Sequence, residues 1–304
     1  MTQRTFAKSR LAVAICSVGR PDCVRDLIEP LVRQTRQADL IVFAVTRPED
    51  IGFDPSELFP DETEVSVVLS EKGLPRQRNA ALDKIGDRAD IVVFYDDDFV
   101  PTKTSLAGVE AFFDAFADVN GATGDLIADG IHGAGYSHGD AMDLVTAYER
   151  DHSEQAPTII REGLAGLYGC NMVYRLTAVG TERFDETLPL YGWQEDIDFA
   201  ARIPGRRVKT DAFAGVHRGA KSGRETAGRR LGYSQMANPW YLWRKGTMTR
   251  RFALRLMSRN LVANHIKMLR PEPWIDRRAR ARGNWKALAE IATGRADPRR
   301  ILDM

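Results

Sequence analysis

A chain of 304 residues has room for one large α/β domain plus an appendage, and it can bury enough apolar surface to fold without disulfides or a structural metal. With 43% hydrophobic and 28% charged residues, 25 Gly and 14 Pro, it is neither disordered nor collagen-like nor of low complexity. The net charge of +1 hides a division: His217–Met304 carries 21 basic and 6 acidic residues (+15), and Met1–Val216 carries 22 and 36 (−14), an acidic body with a basic tail.

Leu11–Ser17 is a short apolar run closed by Gly19-Arg20-Pro21, the pattern of a buried strand and its turn. Asp22 is expected to cap a helix over Cys23–Gln34, where Val24, Leu27, Ile28, Leu31 and Val32 recur at helical spacing. Leu40–Val45 and Val65–Leu69 predict two further strands, Pro75–Ile85 a helix, and Ile91–Tyr95 a fourth strand. Strands separated by helices predict a mostly parallel α/β sheet covered on both faces. Gly121–Ile127 and Leu167–Tyr174 predict strands, Gly130–Gly139 a loop, Gln194–Ile203 a helix and Arg207–Asp211 a last strand. His217–Arg230 reads as a mobile loop. Helices are expected after it, notably Arg250–Leu269, with Phe252, Leu256, Met257, Leu261, Val262, His265, Ile266 and Leu269 along one stripe. The expected division is a catalytic domain over 1–216, then a basic loop and helical extension over 217–304.

No apolar run approaches the roughly 20 residues that span a bilayer. The polar start, Met1–Arg10, has no signal-peptide stretch after it. Cys16, Cys23 and Cys170 are too few and too scattered for a disulfide framework or a zinc site. The expectation is a cytoplasmic protein with buried thiols.

The fourth strand runs directly into Asp96-Asp97-Asp98. Side chains alternate along an extended chain, so Asp96 and Asp98 share a side and Asp97 opposes them. Ligands of open α/β sheets bind at the carboxyl ends of strands. Adjacent carboxylates need a cation or donors to offset their repulsion, and oxygen ligands select Mg²⁺ or Mn²⁺. A solvated acidic turn capping the next helix would look the same. Glu195, Asp196 and Asp198 fall in the first turns of a helix, where the macrodipole alone favours acids. They also suit a general base, with Tyr191 and Trp193 as a stacking wall for a sugar. His217 stands as a third metal ligand or as an ordinary histidine. Arg218, Lys221 and Arg224 are placed to neutralise phosphate, on a loop whose Gly219 and Gly223 would let it close.

These residues together resemble the family 2 glycosyltransferases of the GT-A fold, bacterial polysaccharide type, over roughly Leu11–Gly246. The likeness lies in an ordered series: LAVAICSVGRP at the first strand, GLPRQRNAAL at Gly73–Leu82, Asp96–Asp98, GLYGCNMVYR at Gly166–Arg175, YGWQEDIDF at Tyr191–Phe199, and the late His217. The resemblance implies that Asp96, Asp97 and Asp98 serve the donor diphosphate and its Mn²⁺ or Mg²⁺, with Asp98 the direct ligand. It places Arg78 and Asn79 near the nucleotide, makes Asp196 the base with Glu195 orienting the acceptor, and gives His217 to the metal. The turn Thr46-Arg47-Pro48-Glu49-Asp50 departs from the family in having no acid directly at the strand end, which leaves UDP, dTDP and GDP open.

The implied reaction moves a sugar, with inversion, from a nucleotide-diphosphate sugar to a hydroxyl of a glycan or lipid-linked glycan in cell-surface polysaccharide synthesis. Alternation of Arg with Leu, Phe, Met and Trp in the tail favours an anionic membrane surface or a protein partner over nucleic acid. Trp240–Trp243 is an expected contact with a second subunit. A nucleotidyltransferase would also place acids and Mg²⁺ at strand ends, but Ser17–Pro21 is short and glycine-poor for a triphosphate loop. A non-catalytic membrane- or partner-binding protein would leave the acids and His217 unexplained.

Overall fold

The computed structural model describes residues 8–152, 156–221 and 227–304. The first half alternates β1 (Leu11–Ser17), α1 (Pro21–Val32), β2 (Leu40–Val45), β3 (Glu64–Leu69), α2 (Leu74–Ile85) and β4 (Ile91–Asp96). It continues through β5 (Phe99–Pro101), α3 (Ser105–Ala115), β6 (Val119–Asp129), α4 (His138–Asp151), β7 (Ile159–Arg161) and β8 (Asn171–Arg175). The short α5 (Leu176–Val179), then α6 (Glu195–Arg202) and β9 (Arg206–His217), complete the sheet region. Helices α7 (Gly228–Lys245), α8 (Arg250–Lys267) and α9 (Arg277–Ala292) follow.

The strand order is β3-β2-β1-β4-β8-β6-β9-β5, with β7 on β9. The first four strands are parallel. Beyond them β8 enters antiparallel between β4 and β6, β6 and β9 run parallel, and β5 and β7 run antiparallel to β9. Alternate residues of one strand feed two apolar layers. Leu11, Val13 and Ile15 pack with Val24, Leu27 and Leu31 of α1 and Val109 and Phe112 of α3. Ala12 and Ala14 pack with Ala81, Leu82 and Ile85 of α2 and Phe199 of α6. Each such fully buried Val, Leu, Ile or Phe side chain contributes about 1.5–3 kcal/mol over leaving it exposed, and the alanines less. The two layers lock the register, so the ends of β1, β4, β6 and β9 form a fixed rim.

Several expectations are corrected here. Helix α1 opens at Pro21 and its N-cap is Arg20, so Asp22 lies in the first turn and caps nothing. Proline suits that position because its missing N–H has no partner there anyway. The last strand runs six residues past Asp211, its expected end, and His217 is its final residue, held in the ladder with Phe99 of β5 and Asp129 of β6. The stretch read as the loop Gly130–Gly139 holds a turn over Gly130–His132 and the start of α4. The sequence reading had no counterpart for α3, α4, β5 or β7.

Helices α7, α8 and α9 enclose their own apolar cluster around Tyr233, Met236, Ala237, Met257 and Ala287. Helices α7 and α9 cross at glycines: a Cβ on Gly232 would sit 2.1 Å from the Arg280 carbonyl oxygen, and one on Gly283 would sit 2.2 Å from that of Arg229. The layer is tied to the sheet region by Lys245, whose Nζ donates to Asp185 (2.6 Å) and Asp198 (2.8 Å). Trp240 and Trp243 stack edge-on against each other, and Arg250 lies over the Trp243 ring. The single stripe expected on α8 is divided. Phe252, Leu256, Met257 and Leu261 pack inward, while Val262, Ile266 and Leu269 are exposed. At about 100° per residue the centres of the two sets lie roughly 160° apart, on nearly opposed faces of the helix. No helix among the described residues is long and apolar enough to cross a membrane.

Candidate active site

Asp96 closes β4 and its backbone N–H donates to the Cys170 carbonyl. The chain then turns through Asp97 and Asp98 into β5, which pairs with the end of β9 and so brings His217 across. Asp96, Asp98 and His217 each offer a ligand atom within 4.8 Å of the others. Asp98 is buried; its Oδ2 accepts the Ala220 N–H at 2.7 Å, and its Oδ1 lies 3.6 Å from His217 Nε2. His217 Nδ1 is 2.9 Å from Asp129 Oδ1, and Tyr168 donates to Asp129 Oδ2 at 2.9 Å. That contact turns the other ring nitrogen toward Asp98, the arrangement that orients a metal-binding imidazole. Burial alone would lower the His217 pKa, but Asp129 and the charges of Asp98 and Asp96 outweigh it and raise it.

Asp97 points to the other side, as alternation requires. Its buried carboxylate accepts from Ser17 Oγ at 2.6 Å and pairs with the Arg20 guanidinium, which also lies 3.7 Å from Asp98. Burial pushes this carboxyl above its ordinary range against the pull of Arg20. Asp97 therefore fixes the β1 turn rather than joining the Asp96–Asp98–His217 group.

Arg78 of α2 is buried between the metal-type carboxylates and the acids of α6. It donates to Asp96 (3.1 Å), to the Gly169 carbonyl (2.9 Å) and to Glu195. Burial alone would lower its pKa, yet Glu195 and Asp96 together raise it. Breaking a buried pair of this kind by removing one partner costs about 3–5 kcal/mol. Glu195 is buried, and its Oε2 has no hydrogen-bond partner among the described residues. Burial lifts its carboxyl well above the usual glutamate range despite Arg78. Asp196 stays partly exposed; its Oδ2 accepts the Gly169 N–H at 3.2 Å and its Oδ1 the Ile197 N–H at 2.8 Å. Desolvation of the carboxyl raises its pKa too.

The approach to these acids is a strained loop. Leu190 (φ 58°) and Gln194 (φ 75°) are the positive-φ residues other than glycine among the described residues, and Gly192 (φ 63°) lies between them. At Gly192 a Cβ would also meet Pro75 and Glu195 atoms at 2.9 Å. Such conformations cost about 1–3 kcal/mol each and persist only where the surroundings impose them. The loop leaves Tyr191 exposed, and the Trp193 carbonyl accepts from Asn238 of α7 at 2.8 Å.

Not every residue named from sequence joins the group. Asn79 is buried about 100° around α2 from Arg78, bonded to the Phe184 backbone and Glu186. Arg218 pairs with Asp26 of α1 at 2.8 Å, and Lys221 donates to the Gly130 and Ile131 carbonyls. Arg224 lies outside the described residues. In the turn after β2, Asp50 folds back to the strand end, where it accepts from Gly19 N, Thr46 N and Thr46 Oγ1. It is fully buried and joins the β1 and β2 loops. An open apolar groove of about 640 Å³ beside β3 is lined by none of the site residues. Sequence reading missed Asp129, Tyr168, Arg20 and Ser17. The available sign for Asp129 was an acid ending a strand, on the same rim as Asp96.

No protein-family profile matches the chain, and no curated protein sequence does. Solved structures do. The mannosyltransferase PcManGT from Pyrobaculum calidifontis, in complex with GDP-Man and Mn²⁺, is 14% identical with a TM-score of 0.52, covering 94% of this chain and 87% of its own. Residues 1–349 of S. aureus TarS, in complex with UDP-GlcNAc, are 14% identical with a TM-score of 0.50, covering 94% and 92%. The chain spans 40% of the longer TarS chain it also matches. The likeness therefore extends over nearly the whole of this chain, and what it gives is the fold: a GT-A-like mixed α/β sheet flanked by helices.

Proposed function

We propose that this protein is a metal-dependent, inverting glycosyltransferase that moves a sugar from a nucleoside-diphosphate sugar to a hydroxyl of a glycan or lipid-linked glycan. The observation that carries the reading is the convergence of Asp96, Asp98 and His217 within 4.8 Å, joined through Arg78 to the Glu195–Asp196 pair. Two carboxylates and an imidazole with its outer nitrogen on Asp129 suit a divalent ion such as Mn²⁺ or Mg²⁺. The structures of like fold that hold GDP-Man with Mn²⁺ and UDP-GlcNAc support a nucleoside-diphosphate sugar as donor. Residues 1–216, with His217 at the end of β9, then carry donor and acceptor binding, and the rest of 217–304 supplies the basic segment and the helical layer.

Asp96, Asp98 and His217 would hold the ion, which when bound would offset the charge that develops on the departing diphosphate. Asp196, partly exposed, takes the proton of the attacking hydroxyl. Glu195, fixed by Arg78, leaves Oε2 to accept from the acceptor, which relieves a buried unpaired oxygen. Tyr191 and Trp193 wall the acceptor side. One base facing the anomeric carbon opposite the leaving group gives a single displacement with inversion.

A thermal-shift series with UDP, dTDP and GDP, each with and without Mn²⁺, tests the reading. A ligand that binds only the folded state raises its melting temperature. The expected result is a rise for at least one nucleotide that requires the ion; no shift with any nucleotide and either Mn²⁺ or Mg²⁺ would overturn it. Within the same reading, Asp129→Asn should weaken Mn²⁺ binding by about 10–100-fold with the fold intact, because the imidazole loses the partner that orients it. Calorimetric titration measures this, and unchanged affinity would remove Asp129 from the site.

A further inference from the structure

We propose that the outward face of α8, together with Trp285 of α9, is a docking surface for an anionic lipid bilayer. The inference goes beyond the reaction and rests on what the helical layer leaves uncovered. Inward, Ala253, Met257 and Asn264 are buried against α7 and α9. Outward, Leu254 (43% exposed), Val262 (54%) and Ile266 (65%) fall on one side of α8 at multiples of four residues, and Leu269 (83%) follows just past its end. Nothing in the fold requires large aliphatic side chains there.

Trp285 extends the patch. It is 58% exposed, and its indole Nε1 donates to His265 Nε2 at 2.9 Å. His265 lies on α8 one turn after Val262, and Leu269 follows just past the helix end. The indole N–H is thus satisfied within the protein, and the ring beside the aliphatic stripe stays uncovered. An aromatic with one paired polar end and one open apolar face suits a membrane interface.

Charge selects the occupant. Helix α8 contains no Asp or Glu, and Arg251, Arg255, Arg259 and Arg270 are exposed around the aliphatic residues. On α9, Arg278 and Arg282 are exposed in line with Trp285. An apolar stripe ringed by cations complements the headgroup layer of an anionic bilayer, with the apolar face at the acyl boundary. The tail's charge of +15 supplies the same attraction at longer range. Helix α7, against which α8 packs, holds the Trp193 carbonyl through Asn238, so the docked layer is continuous with the loop proposed for the acceptor.

The test is vesicle sedimentation of the full chain at low salt. Wild-type protein should pellet with phosphatidylglycerol-containing vesicles, stay in solution with phosphatidylcholine alone, and lose binding as salt screens the cations. Ile266→Asp with Leu269→Asp should weaken partitioning by about 10-fold or more at an unchanged melting temperature. Should that variant fail to fold, Arg255→Glu with Arg259→Glu, changes at solvent-facing positions, gives the second reading and should weaken binding likewise. Wild-type protein that stays in solution with anionic vesicles overturns the proposal, as does variant binding equal to wild type. So does a wild-type dimer that the aspartate pair dissociates while vesicles recover none of the protein, which would give the face to a second copy.

Discussion

Asp98→Ala is expected to reduce sugar transfer by about 10³-fold or more while leaving the protein folded. Asp98 presents one oxygen toward Asp96 and His217 and uses the other to hold the Ala220 N–H. Alanine removes both functions, so the loss of charge must be separated from a displaced chain. Asp98→Asn does that, since its amide oxygen still accepts from Ala220 but carries no charge. Both variants should lose ion-dependent nucleotide binding, because the ion would lose a charged ligand, and transfer should fall because charge offset at a leaving group is worth about 10²–10³-fold per interaction and more for an ion. Folding should suffer little, because taking one carboxylate from a crowded group relieves repulsion. Donor-dependent product formation and a thermal melt check the two halves. Full activity of Asp98→Ala in the presence of a chelator would end the metal assignment.

The second large effect is expected at Asp196. Asp196→Asn keeps the shape and the bond from Gly169 but removes the proton acceptor, and turnover should fall by about 10²–10⁴-fold with donor affinity nearly unchanged. The pH profile gives an independent check. Desolvation raises the Asp196 pKa, and a base works only when deprotonated. Turnover should therefore fall on acidification at a pH above that of an ordinary aspartate, and Asp196→Asn should erase that limb. Glu195→Gln should act differently: it takes from Arg78 one of its two carboxylate partners, leaving Asp96, and lowers stability as well as rate. Wild-type turnover in Asp196→Asn, or an unaltered pH limb, would move the base elsewhere.

The strands β1, β2 and β4 were legible almost to the residue, because strands buried on both faces read as unbroken apolar runs bounded by polar turns. Asp96 and Asp98 followed from alternation at such a strand's end. Helix α4 was not read, although Ser137 and Asp140 form a capping box whose spacing is visible in the sequence; the neighbouring glycines and histidines suggested a loop instead. Helix α3 was missed because its run Ser105–Ala115 is apolar with little periodic contrast. The antiparallel entry of β8 could not be read at all, since its partners are far away in the chain and pairing direction leaves no mark on composition. Asp129 was hidden for the same reason: its relation to His217 exists only in the register of β6 on β9, 88 residues apart. Asn79 was misplaced by its neighbour, because adjacent residues of a helix face different ways and only Arg78 faces the acids.

The bonds made by Arg78 close a ring. Its guanidinium reaches Glu195 and the Gly169 carbonyl, the Gly169 N–H returns to Asp196, and Asp196 is joined to Glu195 by the chain itself. A further arm goes to Asp96. In a closed circuit no member can swing without stretching two others, so the spacing between Asp96 and the Glu195–Asp196 pair is set when the chain folds. The ordering entropy for these three carboxyl groups is spent then, with core burial to offset it, and a substrate bound there would meet a geometry that needs little rearrangement. Such a centre gains speed from being rigid, and whatever motion turnover requires has to come from the segments around the ring.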